Sequence, residues 1–248
     1  MQTFGLIGYP LGHSFSKHFF TEKFVEEQID AKYLNFEIPT IDGLFAILKE
    51  QPLLQGFNVT IPYKQSIIPL LSSISDDAKE IGAVNVVKIK YNKQSKPSLV
   101  GYNSDVYGFI ESIKPLLKPH HQKALILGTG GASKAINYGL QKIGIQTLFV
   151  SRTEKQNVIT YDKIDNWLLK EYKVIVNCTP LGMYPNIENK PTIPYNLLDS
   201  SHLLYDLVYN PETTSFIKEG IKQGAMTKNG LEMLHLQALK AWEIWNQT

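Results

Sequence analysis

The chain has 248 residues and a formal net charge of +2, from 25 basic and 23 acidic side chains. All but one of the basic residues are lysine, the exception being Arg152, and lysines and acids are interspersed, which argues against a nucleic-acid binder with a clustered, arginine-bearing face. One cysteine, Cys178, forbids an internal disulfide or a cysteine metal cluster; six scattered histidines form no HExxH pattern, residues 1–4 lack the marks of a secretory signal, and no run approaches the ~20 apolar residues of a membrane span. A cytoplasmic protein of one or two domains, with no resident metal, is expected.

Residues 3–8 form a short apolar strand that ends in the turn Tyr9-Pro10-Leu11-Gly12. A helix follows, with Phe15, Phe19, Phe20 and Phe24 near helical spacing. Residues 33–38 alternate as a strand should, and 56–60 and 83–87 are further short strands. Ser14 and Ser16 stand where serines cap a helix, and such a terminus is also a good carboxylate site. If extended, Asn58 and Thr60 share a face; Pro62 ends the strand, so the direction of Lys64 is open. Asn85, inside an apolar strand, needs a partner if buried. Asn103-Ser104-Asp105 has the composition of a turn or a helix cap.

Residues 112–122 resemble a boundary loop. A second α/β unit opens with a strand at 123–127, then a Gly-rich turn, a helix to about 143 and a strand at 147–150. Buried strands follow at 174–176 and 203–205, and the last 18 residues are helical, with Leu231, Leu234, Ala238, Ala241, Trp242 and Trp245 along one face.

The turn Gly128-Thr129-Gly130-Gly131-Ala132-Ser133 lies between a strand and a helix, the context of a pyrophosphate site. Its third dinucleotide glycine is replaced by Ser133. An NAD site places an acid about 20 residues on, for the ribose hydroxyls. Here the next strand ends Val150-Ser151-Arg152-Thr153, with no acid before Glu154. A guanidinium between hydroxyls suits a 2′-phosphate instead, so NADP is the expected cofactor.

Each polar group alone has an ordinary structural reading. Together they resemble the shikimate dehydrogenases. The likeness runs through Gly12-His13-Ser14-Phe15-Ser16, Asn58-Val59-Thr60-Ile61-Pro62-Tyr63-Lys64, Gly82-Ala83-Val84-Asn85 and Gly101-Tyr102-Asn103-Ser104-Asp105. It continues through the Gly128 turn, Ser151-Arg152-Thr153 and Asn177-Cys178-Thr179-Pro180-Leu181-Gly182-Met183. It ends with Tyr205-Asp206-Leu207-Val208-Tyr209 and the stretch from Asn229 to Gln237.

The resemblance implies Lys64 and Asp105 as the catalytic pair. It implies Ser14 and Ser16, with Tyr209, at the substrate carboxylate, and Asn58, Thr60, Asn85 and Gln237 at the ring hydroxyls. Gly128, Gly130, Gly131 and Ala132 match the pyrophosphate turn; Ser151, Arg152 and Thr153 match the adenosine-phosphate site; Thr179, Leu207 and Gly230 match the nicotinamide side. Four positions depart from the common pattern. Gln156 replaces a second basic residue, beside Lys155; Ser104 replaces threonine; Val106 replaces glycine; Leu207 replaces methionine.

The implied architecture is α/β with two domains. A discontinuous substrate domain (1–104 plus 229–248) is expected beside a doubly wound, Rossmann-like NADP domain (105–228), with catalysis in a cleft between them. The implied reaction is reversible, NADPH-dependent reduction of 3-dehydroshikimate to shikimate, in the route to chorismate and aromatic amino acids. Lysines ordinarily titrate at about 10.4, so a lysine ammonium can protonate the developing alkoxide. The rivals are an NAD-dependent quinate/shikimate dehydrogenase, a paralogue acting on an altered cyclohexene acid, and a non-catalytic sensor. The expected partner is a small molecule, not nucleic acid or membrane, and the chain is expected as monomer or homodimer.

Overall fold

The computed structural model describes residues 1–12, 15–91 and 97–247. They form two compact units, one of residues 1–104 with 238–248 and one of residues 105–237.

The first unit is built on β1 (Gln2–Gly8), α1 (Phe15–Glu26), β2 (Ala31–Glu37), α2 (Leu44–Glu50) and β3 (Leu54–Val59), followed by β4 (Ser73–Ile74), α3 (Asp76–Ile81), β5 (Val86–Tyr91) and β6 (Pro97–Tyr102). Its sheet runs β2-β1-β3-β5-β6-β4, with β5 antiparallel to β3 and β6, and the other pairs parallel. Side chains of the central strands alternate between two cores. Ile7, Phe57, Val59, Val87 and Ile89 face one, which α2 covers with Leu44 and Ile47. Phe4, Leu6, Tyr33 and Val86 face the other, an aromatic core completed by Phe20 and Phe24 of α1 and by Trp242 and Trp245. There Phe4 stacks on Trp245 with centroids 4.8 Å apart, and the Trp245 indole donates to the Val87 carbonyl at 3.0 Å. Strand β6 was not foreseen in the sequence.

The second unit contains α4 (Asp105–Ile113), β7 (Lys123–Leu127), α5 (Gly131–Lys142), β8 (Gln146–Ser151), β9 (Val158–Thr160), α6 (Asn166–Glu171), β10 (Val174–Asn177), β11 (Leu203–Asp206), α7 (Ser215–Lys222) and β12 (Met226–Lys228). Every pairing in its sheet is parallel, in the order β12-β11-β10-β7-β8-β9. This is a doubly wound sheet of two mononucleotide halves, with its switch point between β7 and β10. Both faces are covered, so the central strands read as unbroken apolar runs: Ala124 to Leu127, Val174 to Val176 and Leu203 to Tyr205 are all 0% exposed.

One expectation shifts. Residues 112–122 are not a free boundary loop. Ile113 ends α4, and Leu116 and Leu117 pack beside Phe109 and Ile113 in the second unit's core. Apolar burial there outweighs the Pro/Lys-rich composition. The last helix, α8 (Leu231–Asn246), contributes residues to both units, and its first turns belong with the second. Met233 lies in that unit's core, and Gly108 of α4 leaves room for the Met233 carbonyl and the Gln237 backbone. No helix among the described residues is long and apolar enough to cross a membrane.

Candidate active site

Strand β3 ends at Val59, and the chain turns immediately. The Tyr63 amide donates to the Thr60 carbonyl at 2.9 Å and the Ile67 amide to the Tyr63 carbonyl at 3.1 Å. Lys64 therefore sits on a turn, not on the strand, and is half-buried. The turn is tied down on three sides. The Lys64 carbonyl accepts from the Val84 amide at 2.7 Å, the Tyr63 hydroxyl donates to the Ile38 carbonyl at 2.5 Å, and the Thr60 amide donates to the Ile7 carbonyl at 2.9 Å. A flexible lysine is thus carried on a rigid base.

Beside this turn the first unit buries a polar cluster. Asn58 and Asn85 are 5% and 3% exposed. Asn58 Oδ1 accepts from the Tyr33 hydroxyl at 2.8 Å, and its Nδ2 donates to the Asn85 carbonyl at 3.3 Å. Asn85 Oδ1 accepts from the Ser104 amide at 2.7 Å, and its Nδ2 donates to Ser104 Oγ at 3.0 Å. Asn103 Nδ2 donates to the Ala83 carbonyl at 3.0 Å. So the serine that stands in place of threonine at 104 is itself a partner of Asn85. Ser16, half-buried in the first turn of α1, hydrogen-bonds the Tyr33 phenol; burial pushes that phenol well above its ordinary range, and the Ser16 bond offsets part of the rise. Ser14 lies outside the described residues.

The sequence reading missed Tyr33. Its only signal was an aromatic at an inward position of an alternating strand, which spells core and not site.

In the second unit Asp105 opens α4 and is buried, as is Gln237 of α8, whose Nε2 donates to the Leu234 carbonyl at 3.0 Å. Tyr209 is 38% exposed, and partial burial pushes its phenol upward.

At the carboxyl ends of β7, β8 and β10 lies a cavity of about 540 Å³, where a doubly wound sheet binds its ligand. It is lined by Gly128, Thr129 and Gly130 of the Gly-rich turn, by Ser151 and Arg152 after β8, and by Cys178, Thr179, Pro180 and Leu181 after β10. Tyr161 and Thr192, which the sequence reading did not single out, complete the wall.

The turn's geometry is what the glycines permit. Gly128 has φ +103°, and a Cβ there would meet Thr179 Cγ2 at 3.0 Å. Gly130 is the N-cap of α5, with nothing within 4 Å of where its Cβ would stand. Gly131 and Ala132 are the first two residues of that helix, whose unpaired amides and dipole favour an anion. Ser133, fully buried, fills the slot of the third glycine, and its hydroxyl donates back to the Gly130 carbonyl at 2.6 Å.

Among the described residues Arg152 is the one charged residue in the cavity lining, and no carboxylate lines it. Ser151 Oγ accepts from the Thr153 amide at 3.3 Å, which shapes the turn that carries the arginine. Gln156 is exposed at the tip of a tight turn closed by Lys155 and Val158, with Asn157 at φ +60°, and it does not line the cavity. Leu207 and Gly230 pack against each other, with Gly230 so close to the Leu207 carbonyl that a side chain would not fit.

The chain resembles known proteins along its whole length. Residues 6–87 match the model of the shikimate dehydrogenase substrate binding domain. The shikimate dehydrogenase (NADP(+)) of Methanococcus aeolicus is 36% identical, over 97% of this chain and 90% of the relative. The crystal structure of shikimate dehydrogenase from Aquifex aeolicus superposes with a TM-score of 0.85 at 34% identity, covering 99% of this chain and 92% of the other. Shikimate 5-dehydrogenase from Thermus thermophilus, solved with NADP(H) and shikimate, gives a TM-score of 0.85 at 28% identity over 99% and 94% of the two chains. With the Gly-rich turn, the Asn58-to-Lys64 motif and this extent of likeness, the chain belongs to the shikimate dehydrogenase family.

Proposed function

We propose that this protein catalyses the reversible reduction of 3-dehydroshikimate to shikimate with NADPH. The observation that carries the cofactor half of the reading is the cavity at the switch point, whose only charge among the described residues is Arg152. A guanidinium in a carboxylate-free pocket favours a 2′-phosphate dianion over a bare ribose. The Gly128 turn and the α5 N-terminus suit the pyrophosphate, and Ser151 and Thr153 flank the arginine. When bound, NADPH supplies the hydride.

The remaining chemistry is one proton and one orientation. Lys64 donates the proton to the carbonyl oxygen as it becomes an alkoxide, and takes it back in the reverse direction. Asp105 accepts from the substrate hydroxyl. Asn58, Thr60, Asn85 and Gln237 bind ring hydroxyls; Ser14, Ser16 and Tyr209 bind the carboxylate. Thr179, Leu207 and Gly230 shape the nicotinamide side. Residues 1–104 with the end of the last helix form the substrate domain, and the doubly wound unit is the NADP domain. The lone cysteine and the biosynthetic reaction support a cytoplasmic setting.

Absorbance of the reduced nicotinamide tests the proposal, with shikimate or quinate offered together with NADP or NAD. Shikimate with NADP is expected to react fastest. Preference for NAD would favour the quinate/shikimate rival, and no reduction in any combination would favour the sensor.

A further inference from the structure

The carboxylate of Asp206 is fully buried at the end of β11, yet it has no place in the chemistry above. It is a hub. Oδ1 accepts from Asn177 Nδ2 at 2.9 Å and from the Val208 amide at 3.0 Å, while Oδ2 accepts from Thr214 Oγ1 at 2.6 Å. Asn177 and Thr214 are also 0% exposed.

Asn177 is the last residue of β10, whereas Val208 and Thr214 both lie on the connection between β11 and α7. Asn177 Oδ1 accepts from both the Thr179 amide at 3.0 Å and Thr179 Oγ1 at 2.6 Å. Thr179 Oγ1 in turn accepts from the Leu181 amide at 3.3 Å. Thr179 and Leu181 are wall residues of the cofactor cavity. Val208 follows Leu207, whose amide donates to the Asn177 carbonyl at 3.0 Å. Thr214 caps α7. The topology says which end of a dinucleotide these loops serve. Strands β7, β8 and β9 form the half that carries the Gly-rich turn and Arg152, whereas β10, β11 and β12 form the second half, where the other mononucleotide belongs.

We infer that Asp206 is a positioning residue for the nicotinamide half of the cofactor, acting through Asn177 on Thr179 and through Val208 on Leu207. The inference rests on the cofactor reading above. A carboxylate suits the hub because its two oxygens accept three donors at once and need donate nothing. Asparagine at 206 preserves the shape: its Oδ1 accepts from Asn177 and Val208, and its amide donates to Thr214 Oγ1. Alanine removes the hub.

The test compares two ligands on the full-length protein by calorimetry: NADPH, and adenosine 2′,5′-bisphosphate, which lacks the nicotinamide half. Asp206→Ala is expected to weaken NADPH about tenfold and to leave the bisphosphate within about twofold. Asp206→Asn is expected to restore the wild-type ratio. Asn177→Ala, which cuts the link to Thr179 but leaves Asp206 two donors, is expected to act like Asp206→Ala, and it decides the matter alone if Asp206→Ala does not fold. A purely structural role would leave the ratio of the two affinities unchanged in folded variants, and that result overturns the inference while the cofactor reading stands. Wild-type protein that binds neither ligand overturns both.

Discussion

The Tyr33 hydroxyl donates to Asn58 Oδ1 across 2.8 Å in the interior of the first unit. That bond occupies the acceptor side of the amide and directs its Nδ2 edge, whose contact with the Asn85 carbonyl is long at 3.3 Å. In the proposed reaction that edge is the one that donates to a substrate hydroxyl. Tyr33→Phe leaves Oδ1 buried without its partner, which costs about 1–3 kcal/mol. The expected result is a lower urea midpoint together with a several-fold higher KM for shikimate and an unchanged KM for NADPH. An unchanged shikimate KM in a destabilised variant would reduce Tyr33 to a core residue.

Lys64→Ala should lower kcat by about 10²–10⁴-fold in both directions, the usual range for loss of a positioned proton donor. Its base is held by backbone bonds from Val84, Thr60 and Tyr63, so the turn should survive the truncation. Far-ultraviolet circular dichroism and the NADPH KM are expected to stay at wild-type values. Turnover close to wild type would remove Lys64 from the chemistry.

The Gly-rich turn separates two reasons for a glycine. Gly128 needs its left-handed backbone, and a Cβ there would crowd Thr179 as well. Gly128→Ala should cost about 1–3 kcal/mol of stability in addition to cofactor affinity. Gly130 has ordinary dihedrals and open space around it. Gly130→Ala should therefore keep the wild-type melting temperature but bind NADPH more weakly, because the methyl group would meet the approaching pyrophosphate. Paired melting curves with and without NADPH read both effects. A stable Gly128→Ala protein would sink the backbone argument.

This contrast also explains what was legible beforehand. On the proposed function, a backbone that must turn sharply under a phosphate leaves glycines in the sequence, and a pocket that must hold a dianion leaves an arginine. Both requirements are local, so strand, turn and Arg152 could be read together. The partners of the polar cluster are not local. Tyr33 reaches Asn58 from 25 residues away, and Asn85 reaches Ser104 from 19, through strand register that no periodicity records. Tyr161 and Thr192 line the cavity from the segment after β9 and the connection between β10 and β11, which no local pattern records. Strand β6 begins at Pro97, and its short mixed pattern carries little signal until β5 pairs with it along six residues. Residues 112–122 misled in the other direction: their composition is that of a linker, but Ile113, Leu116 and Leu117 are buried or half-buried by tertiary packing.

Arg152→Ala should raise KM for NADPH by about 10–100-fold, the worth of charge-assisted bonds to a phosphate, and leave KM for NADH nearly untouched. Among the described residues no other charged residue lines the cavity, and Gln156 stands off at the tip of its turn. Equal loss with both cofactors would mean that the guanidinium touches a part they share.

Asp206 makes a prediction about stability that is separate from ligand affinity. Burial raises its carboxyl to about 6, and the hydrogen bonds from Thr214, Val208 and Asn177 pull only partly the other way. The unfolded chain has an ordinary aspartate, near ~3.9. The folded state therefore binds the proton more tightly. The stability that this proton contributes is present below about pH 4 and is lost as pH rises through about 6, an amount of order 2–3 kcal/mol. The titratable neighbours that sense Asp206 are Cys178 and Tyr195; burial chiefly, and then nearby negative charge, pushes both upward, so they stay neutral in this window. Asp206→Asn removes the titration while keeping a hydrogen bond to each of the three partners, with the one to Thr214 reversed in direction. Its stability relative to wild type should rise between pH 4 and 6 and level off above, read as the difference in urea midpoints from pH 4 to 8. A constant difference across that range, or a wild-type protein that gains on the variant as pH rises, would show that the buried carboxylate is better paid for by its three donors than its burial implies.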